Sequence, residues 1–303
     1  MKIKSLNKEY KSFIVALLIF LFGILFLQMQ GVMVKFTGEK YSSFQLAFYR
    51  NLFGVFPIIF FYYLSSNKIE KNNKSLFVKV PMIWILILRG FLLAFAQLCL
   101  FTSFIFLNLA TATSLSSLTP FVVALLSIPI LGIKLNYWKL LAVIIGSIGA
   151  FLIIQPGSDV FSIYFILPLG ASFGYGLNLV LLKLFPKELP TINIQFYSQI
   201  SAIIFSFIFI VFSFDFIQIF SFLDFILIFI MGFFGAVGVY LVMASYRMTN
   251  HINLGPFHYF NILFAFVLGL LFFGETPYNE IFPGIIFIIL AGLLIFWHEK
   301  QNG

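Results

Sequence analysis

NHINLGPFHYFNILFAFVLGLLFFGETP, residues Asn250 to Pro277, opens with polar side chains and a Gly255-Pro256 break, then runs apolar from Asn261 to Phe273. It stops at Gly274-Glu275-Thr276-Pro277, the punctuation that ends a helix. The pattern predicts a membrane-crossing helix of roughly 20 residues with a loosened start and a hard stop. An earlier segment, ATATSLSSLTPFVVALLSIPILGIKLN from Ala110 to Asn136, follows the same plan: small polar residues, Pro120, an apolar run, then Gly132. The two read as versions of one element, and that duplication organises the rest of the chain.

The chain has 303 residues, of which 62% are hydrophobic and 9% charged. Soluble domains carry about 25% charged residues, so the deficit places this chain in a membrane. Long apolar runs between short polar connections predict helices, where a β-barrel would alternate in short segments. The net charge of +8 lies at the ends of those runs, which points to orientation in the bilayer and away from nucleic acid. Cys99 is the single cysteine, which excludes an intramolecular disulfide and speaks against a metal cluster.

The expected fold is an all-α polytopic membrane protein of about ten spans, each close to the ~20 residues that cross the hydrocarbon core. The expected spans are Phe13–Val34, Phe44–Leu64, Pro81–Leu107, Thr111–Leu131 and Trp138–Ile154, then Ser162–Phe185, Ile192–Ser213, Leu223–Tyr246, Asn253–Gly274 and Ile281–His298. With a cytoplasmic N-terminus, fourteen basic residues fall on the inner side, among them Lys2, Lys71, Lys134, Lys187 and Arg247. Only Lys35, Lys40 and Arg50 belong to the outer side, so both termini are expected in the cytoplasm.

The halves align. At a shift of 148, Gln30 meets Asn178, Lys35 meets Lys183, Ser43 meets Thr191 and Phe48-Tyr49 meets Phe196-Tyr197. Further along the shift becomes 142, and Gly132 meets Gly274. Residues 1–155 and 156–303 are therefore expected to be two repeats. Five helices per repeat forces the second copy into the membrane from the opposite side, an inverted-topology arrangement with a binding site at the repeat interface.

ASYRMTNHINLGPFHYFNILFAFVLGLLFFGETP, the first-repeat FQLAFYRN around Arg50, the Arg89-Gly90 pair and LTPFVVALL around Pro120 resemble the drug/metabolite transporter superfamily, in its EamA-type ten-helix members. Gln155-Pro156-Gly157 is similar to that family's inter-repeat Arg-Pro-Gly. Within the superfamily the pattern is most similar to bacterial carriers of the S-adenosylmethionine-uptake kind. The resemblance implies a permease of the bacterial inner membrane that carries a small polar metabolite such as an amino acid or S-adenosylmethionine by alternating access. It implies a monomer or homodimer with no cofactor and no nucleic-acid partner, and a proton as candidate coupling ion. One departure is that Ile133 follows Gly132 where the family repeats Gly-Glu, leaving Glu275 alone in that role.

Polar groups facing lipid cost several kcal/mol, so they normally face the bundle interior. Gln30, Gln97, Asn178 and Tyr240 are candidates for a cavity wall, against the alternative of interhelical hydrogen bonds. Gln28 lies about 200° around the first helix from Gln30, so the two are not expected on one face. His258 and Asn261 share a face of the ninth helix, with Tyr259 rotated by about 100°. Their counterparts at a shift of 142 are Ser116, Ser117 and Thr119. Of these positions, Ser116, Thr119, His258, Tyr259 and Asn261 complete the expected substrate site. Arg50 and Glu275 are candidates for a gate or coupling role, with snorkelling to the interface as the default for Arg50 and Arg89 and a hydrated helix end as the default for Glu275. Gly170, Gly174, Gly232, Gly235 and Gly238 are expected to let helices pack closely.

No P-loop, H-E-x-x-H or G-x-S-x-G occurs, and His251, His258 and His298 form no metal-ligand cluster. The rival readings, a membrane enzyme acting on lipid or a non-transporting structural subunit, lack the first a cluster of ionisable groups at one face and the second a need for two matched polar patches.

Overall fold

A computed structural model describes residues 2–66, 82–132, 137–154, 162–186, 189–214, 217–219, 221–248, 254–277 and 281–302. Their regular structure is entirely helical. In order come α1 (Lys2–Thr37), α2 (Ser43–Phe53), α3 (Val55–Ser66), α4 (Ile83–Phe106), α5 (Leu109–Ser116) and α6 (Thr119–Leu131). Then follow α7 (Tyr137–Ile154), α8 (Ile166–Leu182), α9 (Thr191–Ser213), α10 (Phe222–Met248), α11 (Phe260–Phe273) and α12 (Gly284–Asn302), with 3-10 turns at Ile163–Phe165 and Gly255–Tyr259. Among the described residues, seven segments are long and apolar enough to cross a membrane, and Ile144–Ile154 and Phe257–Phe273 are shorter apolar helices. The expected inter-repeat Gln155-Pro156-Gly157 and the basic loop with Lys71 lie outside the described residues.

The expected spans recur, Phe44–Leu64 as Ser43–Tyr63 and Thr111–Leu131 as Leu109–Leu131, but the helix within each is interrupted where the chain carries prolines. Phe44–Leu64 is two helices, α2 and α3, meeting at Gly54. Pro57 has no N–H for the carbonyl one turn back, so the ladder cannot run through unbroken. Thr111–Leu131 is likewise divided between Ser116 and Thr119. There Pro120 withholds its N–H, and Ser116 Oγ and Ser117 Oγ donate to Thr113 O at 3.0 and 2.8 Å. Thr119 Oγ1 donates to Ser116 O at 2.8 Å, so a hydroxyl satisfies the carbonyl that Pro120 leaves open. The ninth expected span opens as the Gly255–Tyr259 turn before α11 begins. At the start of the chain, α1 runs from Lys2, and its membrane-crossing part begins at Phe13 as expected.

The two elements that the sequence pairs end alike. Gly132 caps α6 at φ 68°, ψ 20°, and Gly274 caps α11 at φ 65°, ψ 22°. Each donates its N–H to the carbonyl four residues back at 3.1 Å. Both conformations are left-handed, which only a residue without a Cβ adopts at little cost.

Packing is also paired. α1 lies along α10 as α8 lies along α4, and α2 meets α10 as α9 meets α4. α1 reaches α11 as α8 reaches α6, while α7 packs on α12 and α5 on α11. Small residues permit the close approaches: a Cβ on Gly174 would stand 2.8 Å from Ala96 Cβ, and one on Gly238 would meet Gly23 O at 2.9 Å. Gly170 is looser, its nearest neighbour Cys99 Sγ at 3.4 Å. Apolar side chains point outward, with Phe212 78% and Trp84 77% exposed, while Arg50 and Arg89 are 2% and 1% exposed. Such an inverted distribution suits a surrounding of lipid.

Candidate functional site

The inward-facing polar residues enclose a cavity of about 150 Å³, several times what one water needs. α1 brings Gln28 and Gln30, α2 brings Arg50, and α4 brings Arg89 and Gln97. Ser116 and Thr119 flank the α5–α6 break, Tyr175 and Asn178 come from α8, and Gln195 from α9. His258 in the 3-10 turn and Asn261 on α11 complete the polar part, and Leu93, Phe104 and Val242 are among its apolar walls.

Two arginine-centred networks cross this space. Arg50 Nε donates to Gln30 Oε1 at 3.2 Å, and its Nη1 to Asn51 Oδ1 at 3.0 Å and Gln199 Oε1 at 3.4 Å. Asn51 Nδ2 donates in turn to Gln97 Oε1 at 2.7 Å, and Gln199 Nε2 to Asn51 O at 2.8 Å. Arg89 Nη1 donates to Asn178 O, and its Nε to Ser198 Oγ at 3.4 Å. Asn178 Nδ2 donates back to Arg89 O at 2.9 Å. Gln30 and Asn178, a matched pair at a shift of 148, thus each contact an arginine. A third link joins α1 to α11, where Gln28 Nε2 donates to Asn261 Oδ1 at 2.6 Å and Thr113 Oγ1 donates to Gln28 Oε1 at 3.3 Å.

The arginines do not snorkel, which corrects the expectation. Side-chain amides lie within reach of Arg50, and a hydroxyl and a backbone carbonyl within reach of Arg89, so both bond inward and not toward the interface. Gln28 and Gln30 also both line the cavity despite opposite faces, because α10, α11 and α2 surround that end of α1. Gln97, Ser116, Thr119, Asn178, His258 and Asn261 line it as expected.

Two expected residues lie elsewhere. Tyr240 stacks on Phe61 with ring centroids 4.9 Å apart and 18° between planes, within the cluster of Ile58 and Phe196. Tyr259 is buried behind α11 beside Ile262, Ile281 and Ile285. Its first-repeat counterpart Ser117 is also absent from the wall, so the matched triplets behave alike: 116 and 119 with 258 and 261 face the cavity, 117 and 259 turn away.

Glu275 is not a hydrated helix end. It is ion-paired with Lys35 of α1, and its Oε2 accepts the Leu109 N–H at the start of α5 at 2.8 Å. Lys35 Nζ also donates to Leu107 O at 2.9 Å. A carboxylate at a helix N-terminus satisfies an open N–H and complements the helix dipole. Asp224, on the expected outer side, holds Lys40 at 3.0 Å and Tyr41 Oη at 3.0 Å.

Arg89, Asn51, Gln195 and Gln199 were not expected at the site. Gln195, Ser198 and Gln199 stand at positions i, i+3 and i+4, a polar stripe that helical spacing could have marked.

A model of the EamA-like transporter family matches the chain twice, over residues 11–155 and 162–297. The chain belongs to the EamA-like transporter family. It is 23% identical over 300 residues to an S-adenosylmethionine uptake transporter of Rickettsia bellii, covering 98% of each chain. The Rickettsia felis S-adenosylmethionine uptake transporter is 22% identical, over 98% of this chain and 97% of that one. An uncharacterised transporter of Helicobacter pylori is 25% identical over 90% of each. A solved crystal structure superposes with a TM-score of 0.65 at 15% identity, over 95% of this chain and 98% of the other, a likeness of fold. The protein is accordingly a multi-pass transporter-family protein of the bacterial inner membrane, as the resemblance in its sequence implied.

Proposed function

We propose that this chain is a secondary transporter that moves a small polar metabolite through the cavity by alternating access. Ten spans form two five-helix repeats, 1–155 and 156–303, inserted in opposite directions with both termini in the cytoplasm. Rocking of one repeat against the other exposes the site to each side in turn. The substrate is of the amino-acid or S-adenosylmethionine kind; the names of the Rickettsia relatives support the latter. The chain performs no covalent chemistry on what it carries.

The observation carrying this reading is that symmetry-matched positions furnish both walls of one buried polar cavity: Gln30 with Asn178, Ser116 with His258, and Thr119 with Asn261. A merely structural bundle has no need of such matching. On the expected outer side, Glu275 ties α1, α5 and the end of α11 together, which suits a gate that must open for exchange with that side.

Purified protein in proteoliposomes, offered a panel of radiolabelled amino acids and S-adenosylmethionine, should exchange at least one of them without ATP. Failure to exchange any, in vesicles with verified insertion, would remove the transport reading. Orientation has its own test: reporter fusions at Lys71 should report the cytoplasm and fusions at Asp215 the outside.

A further inference from the structure

Among the described residues, the cavity wall holds two buried guanidiniums and no carboxylate. Among the described residues the ion pairs are Lys35–Glu275 and Lys40–Asp224, neither in the cavity wall. In the sequence none of the ten acidic residues falls inside an apolar run. Arg50 and Arg89 therefore share their bonds with amides, a serine hydroxyl and a backbone carbonyl, all neutral. A buried charge without a counter-charge costs several kcal/mol even after relaxation.

A second observation is independent of the first. Gln195 is 1% exposed and lines the same cavity, yet neither its Nε2 nor its Oε1 has a hydrogen-bond partner. His258 Nδ1, also in the wall, is unpartnered as well. Buried amides in folded proteins are bonded in the great majority of cases, and a whole side chain left open needs a reason. Gln195 precedes Ser198 and Gln199, the α9 residues that receive Arg89 and Arg50, by about one helical turn.

We propose that the cavity is an anion-recognition site: the substrate carries a carboxylate or a phosphate monoester whose oxygens pair with the buried guanidiniums while the Gln195 amide bonds polar atoms beside them. The proposal deepens the transport reading and rests on the cavity being the substrate site. Guanidinium forks suit planar oxyanions, and a site that excludes water makes such bonds stronger than they are on a surface. The ligand's negative group supplies a counter-charge that the described cavity wall lacks, partial from a carboxylate and near complete from a phosphate monoester.

The test is ligand-induced thermal stabilisation of the full-length protein in nanodiscs. The probes are S-adenosylmethionine, its decarboxylated analogue, adenosine 5′-monophosphate and adenosine, at constant ionic strength. S-adenosylmethionine or adenosine 5′-monophosphate, which carry the anionic group, should bind about ten-fold or more tighter than the decarboxylated analogue or adenosine, which lack it. Preference for the nucleotide over S-adenosylmethionine would assign the anion as phosphate, and the reverse would assign it as carboxylate. Equal binding with and without the anionic group in both pairs, or none by any, overturns the proposal.

Gln195→Leu guards against loss of fold, since it removes an amide with no partner. It should leave the unliganded melting temperature unchanged or higher and weaken anion binding by about ten-fold. A lowered melting temperature with unchanged binding would make Gln195 structural and defeat the assignment. Arg89→Gln should abolish discrimination between probes with and without the anionic group. Flux measured in parallel separates the two readings: anion binding without flux in proteoliposomes retires transport alone, whereas flux with no preference for anions retires the anion site alone.

Discussion

Lys35 on α1 and Glu275 after α11, 240 residues apart in sequence, form an ion pair that also closes the start of α5 through the Leu109 N–H. Their side chains are 19% and 8% exposed, so the pair is shielded from most of the water that weakens surface salt bridges. Three roles converge on one carboxylate: counter-ion to α1, acceptor for α5, and terminus of α11.

That convergence makes the pair irreversible in direction. Exchanging the charges, Lys35→Glu with Glu275→Lys, should fail to restore what Glu275→Ala removes, because a lysine at 275 cannot accept the Leu109 N–H. Hydrogen exchange at the amides of residues 109–112 should rise in Glu275→Ala and stay raised in the swapped protein. Losing a hydrogen bond to a charged group corresponds to about 1.5–3 kcal/mol. Recovery of wild-type protection on swapping would show a simple ion pair.

Gly235 makes room for the Arg50–Gln30 bond. A Cβ there would fall on Gln30 Oε1 and within 2.6 Å of Arg50 Nε. Gly235→Ala should destabilise the protein by about 1–3 kcal/mol, as overpacking does. Gly170→Ala, with 3.4 Å to its nearest neighbour, should change it by less than about 0.5 kcal/mol. Reversible unfolding in mixed micelles compares the two, and equal effects would disprove the crowding at Gly235.

Asn261→Ala removes a cavity amide and strands Gln28 Nε2, its partner at 2.6 Å. Substrate flux should fall about ten-fold or more. Tyr240→Phe, on a side chain stacked against Phe61 outside the cavity wall, should keep flux within about two-fold of wild type. Initial rates normalised to protein in proteoliposomes decide, and the opposite ranking would move the site.

Much of this was legible in the residues. The Gly132/Gly274 match is written in sequence because a left-handed cap demands glycine, and the alternation within residues 116–119 and 258–261 follows from helical spacing. Arg50 and Arg89 were misread because depth along a span says nothing about which way a long side chain turns. Only the assembled bundle shows the amides of Gln30, Asn51 and Gln199 waiting around Arg50. Glu275 was misread for a related reason: its two partners, Lys35 and Leu109, come from distant parts of the chain. Tyr240 looked like a wall residue because an aromatic hydroxyl in an apolar helix invites a polar neighbour, yet its ring found Phe61.

Accessibility of one cavity position from each side of the membrane tests alternating access itself. Cys99 is buried and is the chain's single cysteine, so Cys99→Ala gives a clean background. Into it goes Ser116→Cys, at a wall position whose hydroxyl bonds only its own helix at 3.0 Å. A membrane-impermeant maleimide applied to right-side-out and to inside-out vesicles should label residue 116 from both sides, and a transported substrate should slow both reactions. Labelling from one side alone, indifferent to substrate, would contradict a carrier that turns its cavity from one face of the membrane to the other.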